Sequence, residues 1–131
     1  MLTPPAVATA EDDGVLTASE IAALRLDADW VILSACNTAA SDGTPGAEGL
    51  SGLAKAFVHA GARTLFVSHW PVSSQATVAL TSVLLGEASR PGVGRAEAHR
   101  RAMQAVRDDP TTPLFAHPVF WAPFVVIGEG G

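Results

Sequence analysis

The chain has 131 residues, of which 48% are apolar, and a net charge of −5. That suits one domain with a modest core, not a disordered chain. The acidic balance, with eight scattered basic residues, gives no basis for a nucleic-acid or anionic-membrane partner, and one cysteine excludes an internal disulfide or a multi-cysteine metal site.

Residues 1–13 hold two prolines, several small residues and Glu11-Asp12-Asp13, and read as a flexible N-terminal segment. That stretch lacks the basic and apolar regions of a signal peptide, and no apolar run approaches a membrane span. A lone thiol suits a reducing compartment, so a cytoplasmic protein is predicted. Residues 14–131 are read as the folded part. Thr17 and Glu20 have the spacing of a capping box, which predicts a short helix through Leu24 with Ile21 and Leu24 facing inward. Trp30 to Ala35 is apolar and β-branched enough for a strand buried on both faces, as in a parallel sheet.

A polar, glycine-containing run from Ala39 to Gly46 follows and reads as a loop over the sheet edge. Glu48 then opens a helical pattern in which Leu50, Leu53, Phe57 and Ala60 recur. Gly49 and Gly52 weaken that helix but allow close packing on the sheet, and Gly61 is placed to stop it. Thr64 to Ser68 is a second strand, and strand–helix–strand at this length implies a parallel pair. Ser73 or Ser74 caps a helix reaching about Gly86. Another helix spans roughly Arg95 to Asp108, closed off by Pro110 and Pro113. Trp121 to Ile127 is a last strand, in which Pro123 argues for an edge position or a late start. The sum is an α/β fold with about three strands and three longer helices, and at least one bare sheet edge.

The chemistry-bearing candidates cluster around Cys36, at or just past the C-terminal end of the first strand. Loops leaving that edge of an α/β sheet expose side chains on a rigid base, so the thiol reads either as a nucleophile or as a small buried hydrophobe. Asp42 and Glu48 follow and could line a substrate pocket; a solvated loop acid and a helix-start carboxylate account for them equally well. Of the four histidines, His69 ends the second strand and could share an edge with Cys36. His59 suits the C-terminal end of a helix, His99 a solvent-facing helix position and His117 a turn before Pro118. Trp30, Trp70 and Trp121 read as packing residues. Arg95, Arg100, Arg101 and Arg107 read as the wet face of one helix. Nothing in the sequence calls for a cofactor or a metal.

Several blocks in register carry a family resemblance. They are Leu33-Ser34-Ala35-Cys36-Asn37-Thr38, the run Glu48 to Phe57, Gly61-Ala62-Arg63, Trp70-Pro71-Val72, His117-Pro118, and Trp121 with Phe124 to Gly128. Together with Gly14 to Ile21, the chain resembles the CHAT domain, a caspase-like cysteine peptidase module often found with tetratricopeptide repeats. The resemblance implies a three-layer α/β/α fold on a mostly parallel sheet. It implies peptide-bond hydrolysis by a Cys–His dyad, with Cys36 as nucleophile and its own N–H as one oxyanion donor. Implied partners are a protein or peptide substrate, and tetratricopeptide-repeat regions or another chain at the exposed sheet edge.

The family's histidine lies in a His-Gly pair on an earlier strand, upstream of the segment at Gly14, and this chain has no such pair. Three explanations stand. The chain is the C-terminal piece of a longer CHAT protein with its N-terminal strands missing, inactive by itself, which is the preferred one. Or it is a non-catalytic interaction module on the same fold. Or His69, where the family usually has an apolar residue, has taken over as base.

Overall fold

The computed structural model describes residues 16–33 and 52–130. Within them the chain forms helix α1 (Ala18–Ala23), strand β1 (Val31–Ile32), helix α2 (Gly52–His59), strand β2 (Thr64–Ser68), helices α3 (Ser74–Ala88) and α4 (Arg95–Arg107), and strand β3 (Phe124–Gly128). Two 3-10 turns, Pro113–Ala116 and Pro118–Phe120, lead into β3. The reading of residues 1–13 as a tail falls outside the described residues, as do Cys36, Asp42, Glu48, Gly49 and Leu50.

The local signals at α1 act as expected. Thr17 Oγ1 accepts from the Glu20 amide at 3.3 Å, and the Glu20 carboxylate accepts from the Thr17 amide at 2.7 Å. Ile21 is buried, but Leu24 is 42% exposed, contrary to expectation. The helix stops at Ala23, and Leu24 turns extended as its C-cap. Helical spacing therefore no longer aims its side chain at the side Ile21 faces. At the other end of the crossover, α2 closes in a Schellman motif. The Ala62 amide donates to the Phe57 carbonyl at 3.0 Å and the Gly61 amide to the Val58 carbonyl at 3.1 Å, with Gly61 at φ 101°. Gly52 is not the close-packing point expected of it, since a Cβ there would meet nothing within 4 Å. Buried Ala54 and Ala56 bring α2 against its neighbours instead.

The described sheet has the order β1-β2-β3 and is mixed. β1 pairs parallel with β2, Val31 beside Leu65 and Ile32 beside Phe66, and the Leu33 amide extends the ladder by donating to the Phe66 carbonyl at 2.9 Å. β3 runs antiparallel to β2, from Thr64 beside Gly128 to Ser68 beside Phe124. It starts only after Pro123, which has no amide hydrogen to give. All five residues of β2 are buried. Val31 and Ile32 are only half-buried, and among the described strands β1 pairs with β2 alone. Burial on both faces belongs to the middle strand and not to the one that leads to Cys36.

Alternation along β2 sends its side chains into two clusters. Phe66 joins Leu80 and Leu84 of α3, Ala98, Ala102 and Val106 of α4, Phe115 and Phe124. Leu65 and Val67 join Ala54 and Ala62, with Phe57, Val125 and Ile127 around them. α3 begins after Ser73, as expected, but the Ser73 hydroxyl makes no capping bond. Its carbonyl instead accepts from both the amide and the hydroxyl of Thr77. His99 corrects a further expectation: it is buried, with its ring edge-on to Phe66 at 5.4 Å. Positions 99, 102 and 106 fall at i, i+3 and i+7, so His99 shares the inward stripe of the two residues after it. Small Ala98 and Ala102 leave room for an imidazole there.

Two glycines should respond in opposite directions to a methyl group. Gly128 lies at φ 106°, and an added Cβ would overlap the Arg63 carbonyl oxygen across the ladder. Gly128→Ala is expected to destabilise the chain by about 2 kcal/mol. Gly52→Ala, in open space on a helix, should stabilise it by about 0.5 kcal/mol. Urea midpoints of the two variants check this; a shift in the same direction for both would refute the placement of Gly128.

Candidate active site

β2 ends at buried Ser68, and the next residue, His69, is exposed. Its backbone is fixed, because the His69 amide donates to the Pro123 carbonyl at 3.0 Å. Trp70 is 39% exposed, and its indole N–H donates to the Val119 carbonyl at 3.3 Å. Val119 belongs to the second 3-10 turn, whose N-cap is His117: its Nδ1 accepts from the Val119 amide at 3.2 Å. His117 is therefore a structural acceptor, as its place before Pro118 suggested. The segment after β2 is held at His69 by the start of β3 and at Trp70 by a capped turn. An exposed imidazole on a fixed backbone can accept or deliver a proton to a group brought up to it.

The other histidines stand elsewhere. His59 is exposed in the last turn of α2, on the side where β2 begins, and His99 lies in the core. His69 is thus the histidine at the end of β2 toward which parallel β1 also points. Cys36 follows Leu33 by three positions, and with Asp42 and Glu48 it lies outside the described residues, so no distance joins it to His69. Among the described residues, no group of three or more His, Cys, Asp or Glu could hold a metal ion, and no helix is long and apolar enough to cross a membrane.

The arginines of α4 are engaged with acids. Arg100 donates twice to Glu97 at 2.7 Å, Arg101 bridges Glu97 at 2.7 Å and Glu87 at 3.0 Å, and Arg107 grips Asp108 at 2.7 and 2.8 Å. Arg95 differs. Its guanidinium lies 5.8 Å from the centre of the Trp30 ring, with Asp29 at 3.7 Å and Glu129 at 3.9 Å. Trp30, Arg95, Ala88 and the Gly92–Gly94 turn line an open pocket of about 390 Å³. This pocket lies where β1 begins, at the far end of the sheet from His69. Sequence reading missed it, since no local pattern joins Trp30 to a turn some sixty residues later. Trp30 otherwise packs against the Phe66 cluster as expected.

Over residues 2–129 the chain matches the CHAT domain. It belongs to the CHAT domain family. Among its relatives are Tetratricopeptide repeat protein 28 of Mus musculus, 33% identical over 120 residues, and Tetratricopeptide repeat protein 28 of Homo sapiens, 34% identical over 119 residues. Each alignment covers 88% of this chain and 4% of the relative, so the chain spans a small part of the proteins it matches. No solved structure matches it significantly.

The Glu97 cluster provides a direct check on the described CHAT surface. Hydrogen bonds from Arg100 first and Arg101 second lower the Glu97 carboxyl to about 2. Because the folded value lies below the ordinary one, the stabilisation is present above the usual carboxylate range and is lost as pH falls toward about 2. Carboxyl NMR should show Glu97 ionised at pH 3, and Arg100→Gln should raise its midpoint toward the ordinary value of about 4.3. A wild-type midpoint already at that ordinary value would break the assigned pairing.

Proposed function

We propose that this CHAT domain is the nucleophile-bearing part of a caspase-like cysteine peptidase, three-layered around a mostly parallel sheet, with Cys36 as the attacking group. The observation that carries the reading is the parallel β1–β2 pair, whose last described bond runs from Leu33 to Phe66. Cys36 follows four residues after the end of β1, and His69 follows directly after β2. In this reading the Cys36 thiolate adds to the carbonyl carbon of a peptide bond, and its own amide N–H receives the developing oxyanion. The C–N bond breaks as the leaving amine takes a proton, leaving a thioester that water then hydrolyses. Asp42 and Glu48 line the substrate pocket. A thiol that must stay reduced puts this chemistry in the cytoplasm.

The family's base belongs to an upstream His-Gly pair, so the 131-residue chain alone is assigned little peptidase activity. His69 is the residue of this chain suited to substitute. Tetratricopeptide repeats, named in both relatives, are the proposed neighbours of the domain. One observation favours a second reading, a non-catalytic interaction module: Val31 and Ile32 are half-buried on a strand with one described neighbour, an edge another chain can pair with.

Thiol alkylation separates the two. As a nucleophile, Cys36 is expected to react with iodoacetamide at pH 7 at least about tenfold faster than free cysteine. Slow labelling that needs denaturant would defeat the peptidase reading and leave the interaction module. His69→Gln then tests the substitute base: a tenfold or larger fall in rate assigns that role to His69, and an unchanged rate removes it from His69. Cys36→Ala should leave the urea midpoint nearly unmoved.

A further inference from the structure

Three buried polar atoms among the described residues lack a hydrogen-bond partner: Thr81 Oγ1, His99 Nε2 and Trp121 Nε1. Of these, only the imidazole titrates near neutral pH. His99 is 9% exposed and lies edge-on to Phe66. A buried nitrogen without a partner is costly, and a phenyl ring of similar size would fill the place without that cost.

Among the described residues, the elements packed against it offer a cation no free carboxylate. α4 packs against α3, the Pro113–Ala116 turn and β3, and Phe66 brings β2 into contact. Neither β2, β3 nor that turn contains a titratable or charged residue. α3 carries only Glu87, whose carboxylate is held by Arg90 at 2.9 Å and Arg101 at 3.0 Å. On α4 itself, Glu97 is taken by Arg100 and Arg101, and the remaining charges are the arginines.

We propose that His99 is an acid-sensitive latch: as the neutral ring it closes α4 onto Phe66, and once protonated at Nε2 it has no acceptor there, so α4 loosens from the sheet. Burial lowers the His99 pKa below the ordinary histidine value, so the closed form disfavours the proton. The sign follows from linkage: the closed state is fully stable above the ordinary value of about 6.5 and loses stability as pH falls below it. The effect reaches beyond α4. Phe66 stacks on Phe124 at 5.1 Å, and Phe124 adjoins Pro123, whose carbonyl holds the His69 amide. The latch does not depend on what Cys36 does.

Hydrogen exchange of the α4 amides in the 131-residue chain, corrected for the intrinsic pH dependence of exchange, tests it. Between pH 7.5 and 5.0 the opening constant should rise at least about threefold. His99→Phe keeps the aromatic contact and should flatten that rise. A His59→Gln, His69→Gln, His117→Gln triple variant should retain it. An equal rise in His99→Phe, or no rise in the wild type, would overturn the proposal. If His99→Phe does not fold, the wild-type ring decides. An NMR titration midpoint well below the ordinary value, with α4 opening alongside, supports the latch; an ordinary midpoint with unchanged α4 protection refutes it.

Discussion

Phe66 is where the separate parts of the chain meet. Its carbonyl accepts from the Leu33 amide at 2.9 Å, its ring stacks on Phe124 at 5.1 Å, and the His99 ring meets it edge-on at 5.4 Å. One buried residue therefore ties the end of β1, the start of β3 and the inner face of α4 to the middle strand. Such a residue can hold three elements because both its backbone and its side chain are committed, and because its neighbours in β2 are equally dry. With every position of Thr64–Ser68 buried, the strand has no wet face, and its order constrains everything packed around it.

The electrostatic layer lies outside this core and does a different job. Arg63 donates to Asp29, and to Asp27 at 2.6 Å. Those acids precede β1, and Arg63 precedes β2, so the pairs align the entry of two parallel strands. The hydrogen bond Arg63 gives to Asp29, then the charge of Asp27, raise the Arg63 pKa further above its already high value. All three side chains are open to water, where such pairs add little stability. Their contribution is register. The backbone makes the same alignment independently, through the Arg63 amide bond to Ala28 and the Leu26 amide bond to Ala60, at 2.9 and 2.8 Å.

What the sequence revealed divides along physical lines. Thr17 with Glu20, Gly61 after α2 and Pro123 before β3 act through their own few neighbours, and each could be read before any coordinates. The apolar run of β2 was legible for a similar reason, since five dry residues in a row between a glycine and a tryptophan–proline pair admit few alternatives. Gly52 and His99 failed for the opposite reason: their surroundings depend on which element lies across from them, and local pattern carries no such information. Leu24 failed because α1 stops one residue before it. His99 looked wet because a polar residue between charged ones usually is. It is dry because alanines at 98 and 102 draw the helix close to Phe66. At the candidate site the edge and His69 were legible from strand order. The brace from Trp70 through Val119 to His117 was not, because it joins residues about fifty positions apart.

That brace bears on what the sheet's end can do. A proton-transfer group is effective only if its approach to the reacting atom is set in advance, and a histidine on a free loop spends binding energy on being positioned. His69 avoids part of that cost. Its amide is committed to Pro123, its predecessor Ser68 is buried in the ladder, and its successor Trp70 is tethered by the indole. The main chain is held on both sides while the imidazole itself is left to solvent. His117, by comparison, spends its Nδ1 as the acceptor of a turn. The two histidines thus differ in use: one spends a ring nitrogen on a cap, and the other leaves its ring open on a fixed backbone.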